Sequence, residues 1–383
     1  MDQYTEVTGQ SWLGRLGSAF KGVIFGLLLF LAAFPLLFWN EGRAVHTAKS
    51  LEEGAAAVIS LPSAAVDPAH EGKLVHATGL ATTSETLTDP QFGVAAQALK
   101  LNRKVEMYQW QESSSSKTEK KLGGETETVT TYSYDKVWSE DKLDSSGYKK
   151  AHEHQNPAQK AYPSAEWVAR QVSFGDFALS RSLVDRIADQ EALLINDEKL
   201  LPKALRGRVH RYEGGFYAGK DANAPEIGDL RITFTEVKPT QVSVVAQQAG
   251  KTFQPYATQN GETIELLQTG VHGSVEMFQQ AQDENALLTW ILRGAGLLLM
   301  FIGLSMMLGP LSVIADVIPL LGDIAEMGVG LVAFLLAVPF ALTTVGAAWL
   351  FYRPWLGVTL LAIAGAVLWT LRTRLHKTVP VAV

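Results

Sequence analysis

The sequence predicts an integral membrane protein with four α-helical transmembrane spans and a large extramembrane α+β, β-rich domain. Two observations carry this: four uncharged apolar stretches each close to the length that crosses a bilayer, and, between the first two, a polar block whose pattern changes from helical spacing to short alternating runs. The 383 residues hold 33 Lys plus Arg against 39 Asp plus Glu, a formal charge of −6, and 47% of them are hydrophobic. That ordinary average hides two populations, because residues 22–40, 294–315, 327–352 and 354–371 carry no charge at all.

A hydrocarbon core about 30 Å thick needs roughly 20 apolar residues in a helix, and each stretch is near that length. Arg15 and Lys21 precede the first, but no small-residue cleavage site follows it, so it reads as a retained signal anchor. Residues 327–371 are broken only by Arg353, in WLFYRPWLG. One straight helix of that length would run about 65 Å, so a turn is expected at Arg353, with Pro354 opening the next helix. The residues before 22 and the tail 372–383, with Arg372, Arg374 and Lys377, are then expected in the cytoplasm, and the domain 41–290 outside it.

Within the domain, alternation in 101–110 puts Leu101, Arg103, Val105 and Met107 on one strand face. Similar runs at 74–80, 128–134, 231–237, 242–246 and 263–267 predict further strands, while 48–59, 164–170, 180–188 and 274–282 read as helical. Residues 112–128 (ESSSSKTEKKLGGETET) are polar and glycine-broken, and are expected to form a mobile loop or long hairpin tip.

Chemistry is sparse. With no cysteine there is no thiol nucleophile, iron–sulfur cluster or disulfide, and the mildly acidic balance offers no footprint for nucleic acid. His152 and His154 could hold a metal from one strand face, but no third ligand is placed, so no metal or cofactor is expected. No serine elbow, Walker lysine or dinucleotide fingerprint is present, and the acids at Asp89, Asp176 and Asp229 sit beside turn residues. The expectation is a non-enzyme.

Two membrane features say more. Asp316, Asp323 and Glu326 share a helical face, which predicts an amphipathic acidic connector over 316–326 at the cytoplasmic interface, or an ion site if the acids lie deeper. Gly14, Ser18, Gly22 and Gly26 recur every four residues, a groove for close helix packing against either the chain's own spans or a second copy.

FWNEGRAVHTAKSLEEG, EGKLVHATG, LTDPQFGV, KLNRKVEMYQWQE, TYSYDKVWSE, HQNP, PEIGDLRITF and WLFYRP, in this order, resemble the LUMA family (transmembrane protein 43) over nearly the whole chain. The resemblance implies four spans, a large domain between the first two and cytoplasmic termini. In animals it implies the endoplasmic reticulum and inner nuclear membrane, a role in organising membrane protein complexes, and emerin and lamins as partners. The loop 112–128 and the tail depart from the animal pattern and point to a bacterial member with a periplasmic domain, to which emerin and lamin binding would not carry over.

The positions that match the family are structural: Asn40, Glu41, Gly42 and Arg43 at the first membrane exit, His154, Asn156 and Pro157, and Gly228, Asp229, Leu230 and Arg231. At the exit, Gly42 is expected to permit a sharp turn and the charged pair to dock the domain on headgroups. The function expected is a non-enzymatic scaffold that gathers membrane lipids, other membrane proteins and copies of itself. An oligomeric channel or transport component using the acidic connector, and a lipid-sensing or lipid-modifying protein, are the alternatives.

Overall fold

A computed structural model describes residues 2–197 and 201–359. The chain forms two compact units: Met1–Val7, Glu52–Lys117 and Val129–Gln279 in one, Thr8–Leu51, Thr118–Thr128 and Gln280–Val383 in the other.

The second unit is helical. Helix α1 spans Trp12–Ala57, α2 Ser274–Ala315 and α3 Pro319–Tyr352. All three are long and apolar enough to cross a membrane. They meet through small against large residues: Ala333, Ala337 and Ala341 of α3 bury against Ala33 and Leu37 of α1 and Met300 and Leu304 of α2. Alanine lets the axes approach and leaves the larger side chains to fill the seam. The opposite faces are covered with exposed apolar groups such as Ile24, Leu28, Leu298, Leu331 and Phe334, which require lipid. Helix α3 ends at Arg353, whose N–H donates to Trp349 O, and the chain is helical again from Pro354. The break expected at Arg353 is present; most of the fourth span, 354–371, and the tail lie outside the described residues.

The first unit is β-rich. Strands β1 (Asp2–Gln10), β2 (Leu74–Thr82), β3 (Lys100–Lys120), β4 (Thr126–Ser139), β5 (Leu230–Val237) and β6 (Thr240–Ala249) are its main elements. One eight-stranded sheet runs β1-β4-β3-β5 and on through Gly215–Ala218 and Val209–Tyr212, with Ala165–Val168 on β3 and Glu191–Ala192 on β5. In a second, seven-stranded sheet, β6 pairs antiparallel with β2, Val244 opposite Ala77. Val75 and Val244 from the second sheet share one apolar core with Leu101, Val105, Ile232 and Phe234 from the first. The face expected of β3 is the buried one; its Arg103 enters this core because Asp89 accepts from Nη1 at 2.7 Å.

Of the two forms expected for residues 112–128, the hairpin tip is the one present, strand through Lys120 and again from Thr126, with only a short turn between. Its polar composition does not prevent this, because Ser116 pairs with Thr130 and Thr118 with Thr128 across the strands, each at 2.8 Å. Ala165–Val168 is a strand where a helix was expected, since it finds a partner in Lys100–Arg103. Residues 2–10, expected only as part of a cytoplasmic N-terminus apart from the domain, form β1 and pair with β4 in its sheet. The predicted 48–59 helix is not separate but the last turns of α1.

Candidate functional site

The polar side chains of the helical unit gather at two ends. Arg15 and Glu41 lie 26 residues apart on α1, a rise of about 39 Å.

At the Glu41 end, polar residues recur every fourth position on α2, Asn285, Thr289 and Arg293, and so share one face. That face meets the exit motif. Asn40 Nδ2 donates to Thr289 O at 3.1 Å, and Arg43 donates to Asn285 Oδ1 at 2.9 Å and Thr289 Oγ1 at 3.0 Å. Glu41, 2% exposed, accepts from Arg293 through Nε at 2.6 Å and Nη2 at 2.8 Å, and from Trp349 Nε1 of α3 at 2.7 Å. The bidentate fork fixes direction as well as charge. Arg293 also lies over the rings of Trp290, at 4.7 Å, and Trp349, at 5.6 Å.

Gly42 makes no turn, for α1 continues through it; a Cβ there would stand 2.6 Å from the Tyr352 ring. The exit motif therefore clamps three helices, and its side chains point into protein where headgroup docking was expected. Beside it, an apolar cleft of about 320 Å³ is lined by Leu37, Trp290, Arg293, Leu297, Ala341 and Trp349.

At the Arg15 end, the acids do come together, but not as one amphipathic helix. Asp316 lies in the turn between α2 and α3, while Asp323 and Glu326 belong to the start of α3. Lys120, at the hairpin tip, places its ammonium 3.0 Å from Asp316, 2.9 Å from Asp323 and 2.7 Å from Glu326. Burial lowers the Lys120 pKa, but hydrogen bonds to Glu326, Asp323 and Asp316 outweigh it and raise the group above the ordinary lysine range. Asp316 is nearly fully buried and also pairs with Arg15, whose Nη1 reaches Gly124 O at 2.7 Å. Trp12 Nε1 donates to Val313 O at 2.8 Å, and Gly123 N–H to Val317 O at 3.1 Å. The connector was expected to stand apart from the polar block; instead a lysine of that block occupies its centre. A polar cleft of about 800 Å³ adjoins it, lined by Gln10, Arg15, Thr118, Lys120, Asp323 and Glu326.

Between the two ends runs the small-residue stripe. A Cβ on Gly26 would stand 2.6 Å from Gly303 O, and one on Gly303 2.6 Å from Gly26 O, so α1 and α2 cross here backbone to backbone. Gly22 faces Met306 of the same helix. These two glycines pack the chain against itself. Gly14 and Ser18 instead face the strand end, with Ser18 Oγ accepting from Gln10 at 3.2 Å.

The family-matching positions of the β-rich unit converge on β3. Asn156 Oδ1 accepts from Trp110 N–H at 2.7 Å and its Nδ2 donates to Trp110 O at 2.8 Å. Gly228, at φ +100°, donates to Tyr108 O at 2.9 Å, and a Cβ there would meet Pro157. Asp229 Oδ2 accepts from Tyr217 OH at 2.6 Å, Leu230 is buried, and Arg231 lies 4.1 Å over Trp138. His154 is buried between Tyr134, stacked at 3.8 Å, and Trp110, with Asp2 of β1 3.2 Å from its Nε2. Among the described residues no three His, Asp or Glu side chains converge to hold a metal.

Lys120, Trp12, Asn285 and Thr289 were not singled out from the sequence. The four-residue spacing of Asn285, Thr289 and Arg293 was a readable signal; Lys120, 196 residues from Asp316, had none.

Three membrane-length helices closed by polar clamps at both ends, with a β-rich unit built mainly from the block between the first two, define a multi-helix membrane protein carrying a large polar block. Its family is equally plain. The family model for transmembrane protein 43 matches residues 107–354. The chain is 37% identical to transmembrane protein 43 of Mus musculus over 92% of its own length and 90% of the relative's, and 36% identical to that of Homo sapiens over 95% and 92%. The homolog in Drosophila melanogaster is 32% identical over 90% of this chain and 92% of its own. The chain belongs to the transmembrane protein 43 family. No solved structure matches it.

Proposed function

We propose that the protein is a non-enzymatic membrane scaffold, which holds other membrane proteins and copies of itself around a clamped helical unit. The observation that carries this reading is the use made of the charged residues. Glu41 and Arg293 are consumed by one another and by Trp349, and Asp316 by Arg15 and Lys120, so these groups join elements rather than face a substrate. Rigid clamps of this kind suit a surface that must present a fixed shape. The finer placement, an inner membrane with residues 41–290 on the periplasmic side, rests on the Lys and Arg count at the span ends; the pairing of β1 with β4 and of Lys120 with Asp316 counts against the opposite sides that this count assigns to residues 2–10 and 316 on one hand and residues 41–290 on the other.

A second reading has its own observation: the polar cleft at the Arg15 end could form part of a conduit in an oligomer. Purification in mild detergent followed by identification of co-purifying membrane proteins tests the first, and ion flux into liposomes the second. A sample that stays monomeric with nothing bound, yet conducts ions when reconstituted, would reverse the choice.

A further inference from the structure

We propose that the helical unit binds one membrane phospholipid, with an acyl chain in the apolar cleft that α1, α2 and α3 share and the phosphate on Arg293. Such a site goes beyond the scaffold reading and does not depend on it, for it concerns the lipid that the helices hold.

Arg293 uses two of its three side-chain nitrogens, Nε and Nη2, on Glu41, and Nη1 meets no acceptor among the described residues. The side chain is 20% exposed and lies at the rim of the cleft, so Nη1 is open to a partner from outside. Glu41 leaves it open: that carboxylate is almost fully buried and already accepts twice from Arg293 and once from Trp349. A guanidinium matches the paired oxygens of carboxylate and phosphate, and beside hydrocarbon the anion at hand is the phosphodiester of a phospholipid. Trp290 and Trp349, whose rings flank the cation, are of the type that settles at headgroup level, which is the depth of that phosphate.

From this rim the cleft runs inward along both helices, from Trp290 to Leu297 on α2 and from Trp349 to Val338 on α3. Eleven residues of α3 rise about 16 Å, close to half of a hydrocarbon core about 30 Å thick. The cleft therefore begins where headgroups lie and ends near the midplane, which is the reach of one acyl chain. Its wall is open where a side chain is missing. A Cβ on Gly294 would meet nothing within 4 Å, whereas one on Gly296, two residues on, would strike Leu37 at 2.4 Å. So α2 closes on α1 at Gly296 and leaves room at Gly294. The volume, about 320 Å³, falls in the range of ligand pockets, about 300–1,000 Å³. Another apolar cleft, about 530 Å³ between α1 and α3, is lined by Phe34, Phe38, Phe340 and Thr344 and has no charged group, so it offers room for a chain and nothing for a phosphate.

The full chain in mild detergent is given phosphatidylcholine that carries a diazirine midway along one acyl chain, irradiated, and its adducts are mapped by peptide mass spectrometry. Adducts at Leu297 and Val338 are expected to exceed those at Leu28 and Leu331, exposed apolar positions that do not line the cleft, by about tenfold. Gly294→Leu fills the cleft without a clash and favours the helix, so it should cut the cleft adducts about tenfold, spare those at Leu28 and Leu331, and leave the melting temperature no lower. Unlabelled phosphatidylcholine should displace the probe about tenfold better than dioleoylglycerol, which has the chains without the phosphate, and glycerol phosphate, which has the phosphate without the chains, should not displace it. In the paired variant Glu41→Gln/Arg293→Met the advantage of phosphatidylcholine over dioleoylglycerol should vanish. Labelling spread evenly over all exposed apolar positions, cleft adducts undiminished in Gly294→Leu, or equal displacement by dioleoylglycerol would each overturn the proposal. So would Leu342→p-benzoylphenylalanine at the mouth of the cleft, if on irradiation it captured residues 360–371 of the same chain in place of lipid.

Discussion

The two ends of the helical unit solve one problem, charge beside a bilayer, in opposite ways. At the Glu41 end a carboxylate is sealed from water and forked onto one arginine, so the pair gains from low dielectric and would suffer badly if split. At the Arg15 end, Asp316 is buried but Asp323 and Glu326 are each 68% exposed, and a single flexible lysine answers all three. Solvent screens the outer two contacts. The first end is a weld and the second a clasp, and their sensitivity to mutation and salt should differ accordingly.

The largest effect is expected from splitting the weld. Glu41→Ala leaves Arg293 without its carboxylate, at a cost of about 3–5 kcal/mol, and the loss of intrinsic tryptophan signal change on heating should move sharply to lower temperature. Replacing both partners, with Glu41→Gln and Arg293→Met, should recover much of that loss; a double variant as unstable as the single would show that the pair is not the source. Next comes the crossing between the ends. Gly26→Leu forces a side chain into the Gly303 backbone, and overpacking of this kind costs about 1–3 kcal/mol, with α1 and α2 no longer joined by a short cross-linker placed beside the contact. An unshifted melting curve would mean the helices do not meet there. The smallest change belongs to the clasp: Asp323→Asn and Glu326→Gln should each cost less than about 1 kcal/mol, and less still in 0.5 M salt. Costs equal to that of Glu41→Ala would erase the distinction. The raised Lys120 pKa sets the sign of the alkaline response, since its contribution is whole below the ordinary lysine value of about 10.4 and fades only as pH climbs through the folded one. Between pH 7 and 9 the clasp should therefore not loosen.

Much of the fold was legible because it follows from periodicity. The strands at Leu74–Thr82, Leu230–Val237 and Thr240–Ala249 sit where alternation predicted them, and the helix Arg181–Arg186 begins after Ser180, whose side chain accepts from Leu183 N–H. The hairpin tip was harder, because Ser and Thr lend themselves to loops and to strands alike, and only the partner opposite decides. The same holds for Ala165–Val168, whose apolar spacing fits a short helix until β3 offers it hydrogen bonds. The exit motif could be located from its family pattern, but not its role. NEGR after an apolar run reads as a boundary, and only the spatial return of Arg293 and Trp349 makes it a joint.

The amino-acid sequence by itself determined where the lipid-facing helices lie and that the intervening block is β-rich, since hydropathy and alternation depend on neighbours within a few residues. It also determined family membership, which is carried by colinear motifs. Tertiary structure alone decided that Gly26 meets Gly303, that Glu41 turns inward, and that Lys120 reaches three carboxylates some two hundred residues away. Those contacts arise from how elements pack across long stretches of chain, and no local pattern encodes which distant charge a buried carboxylate will find.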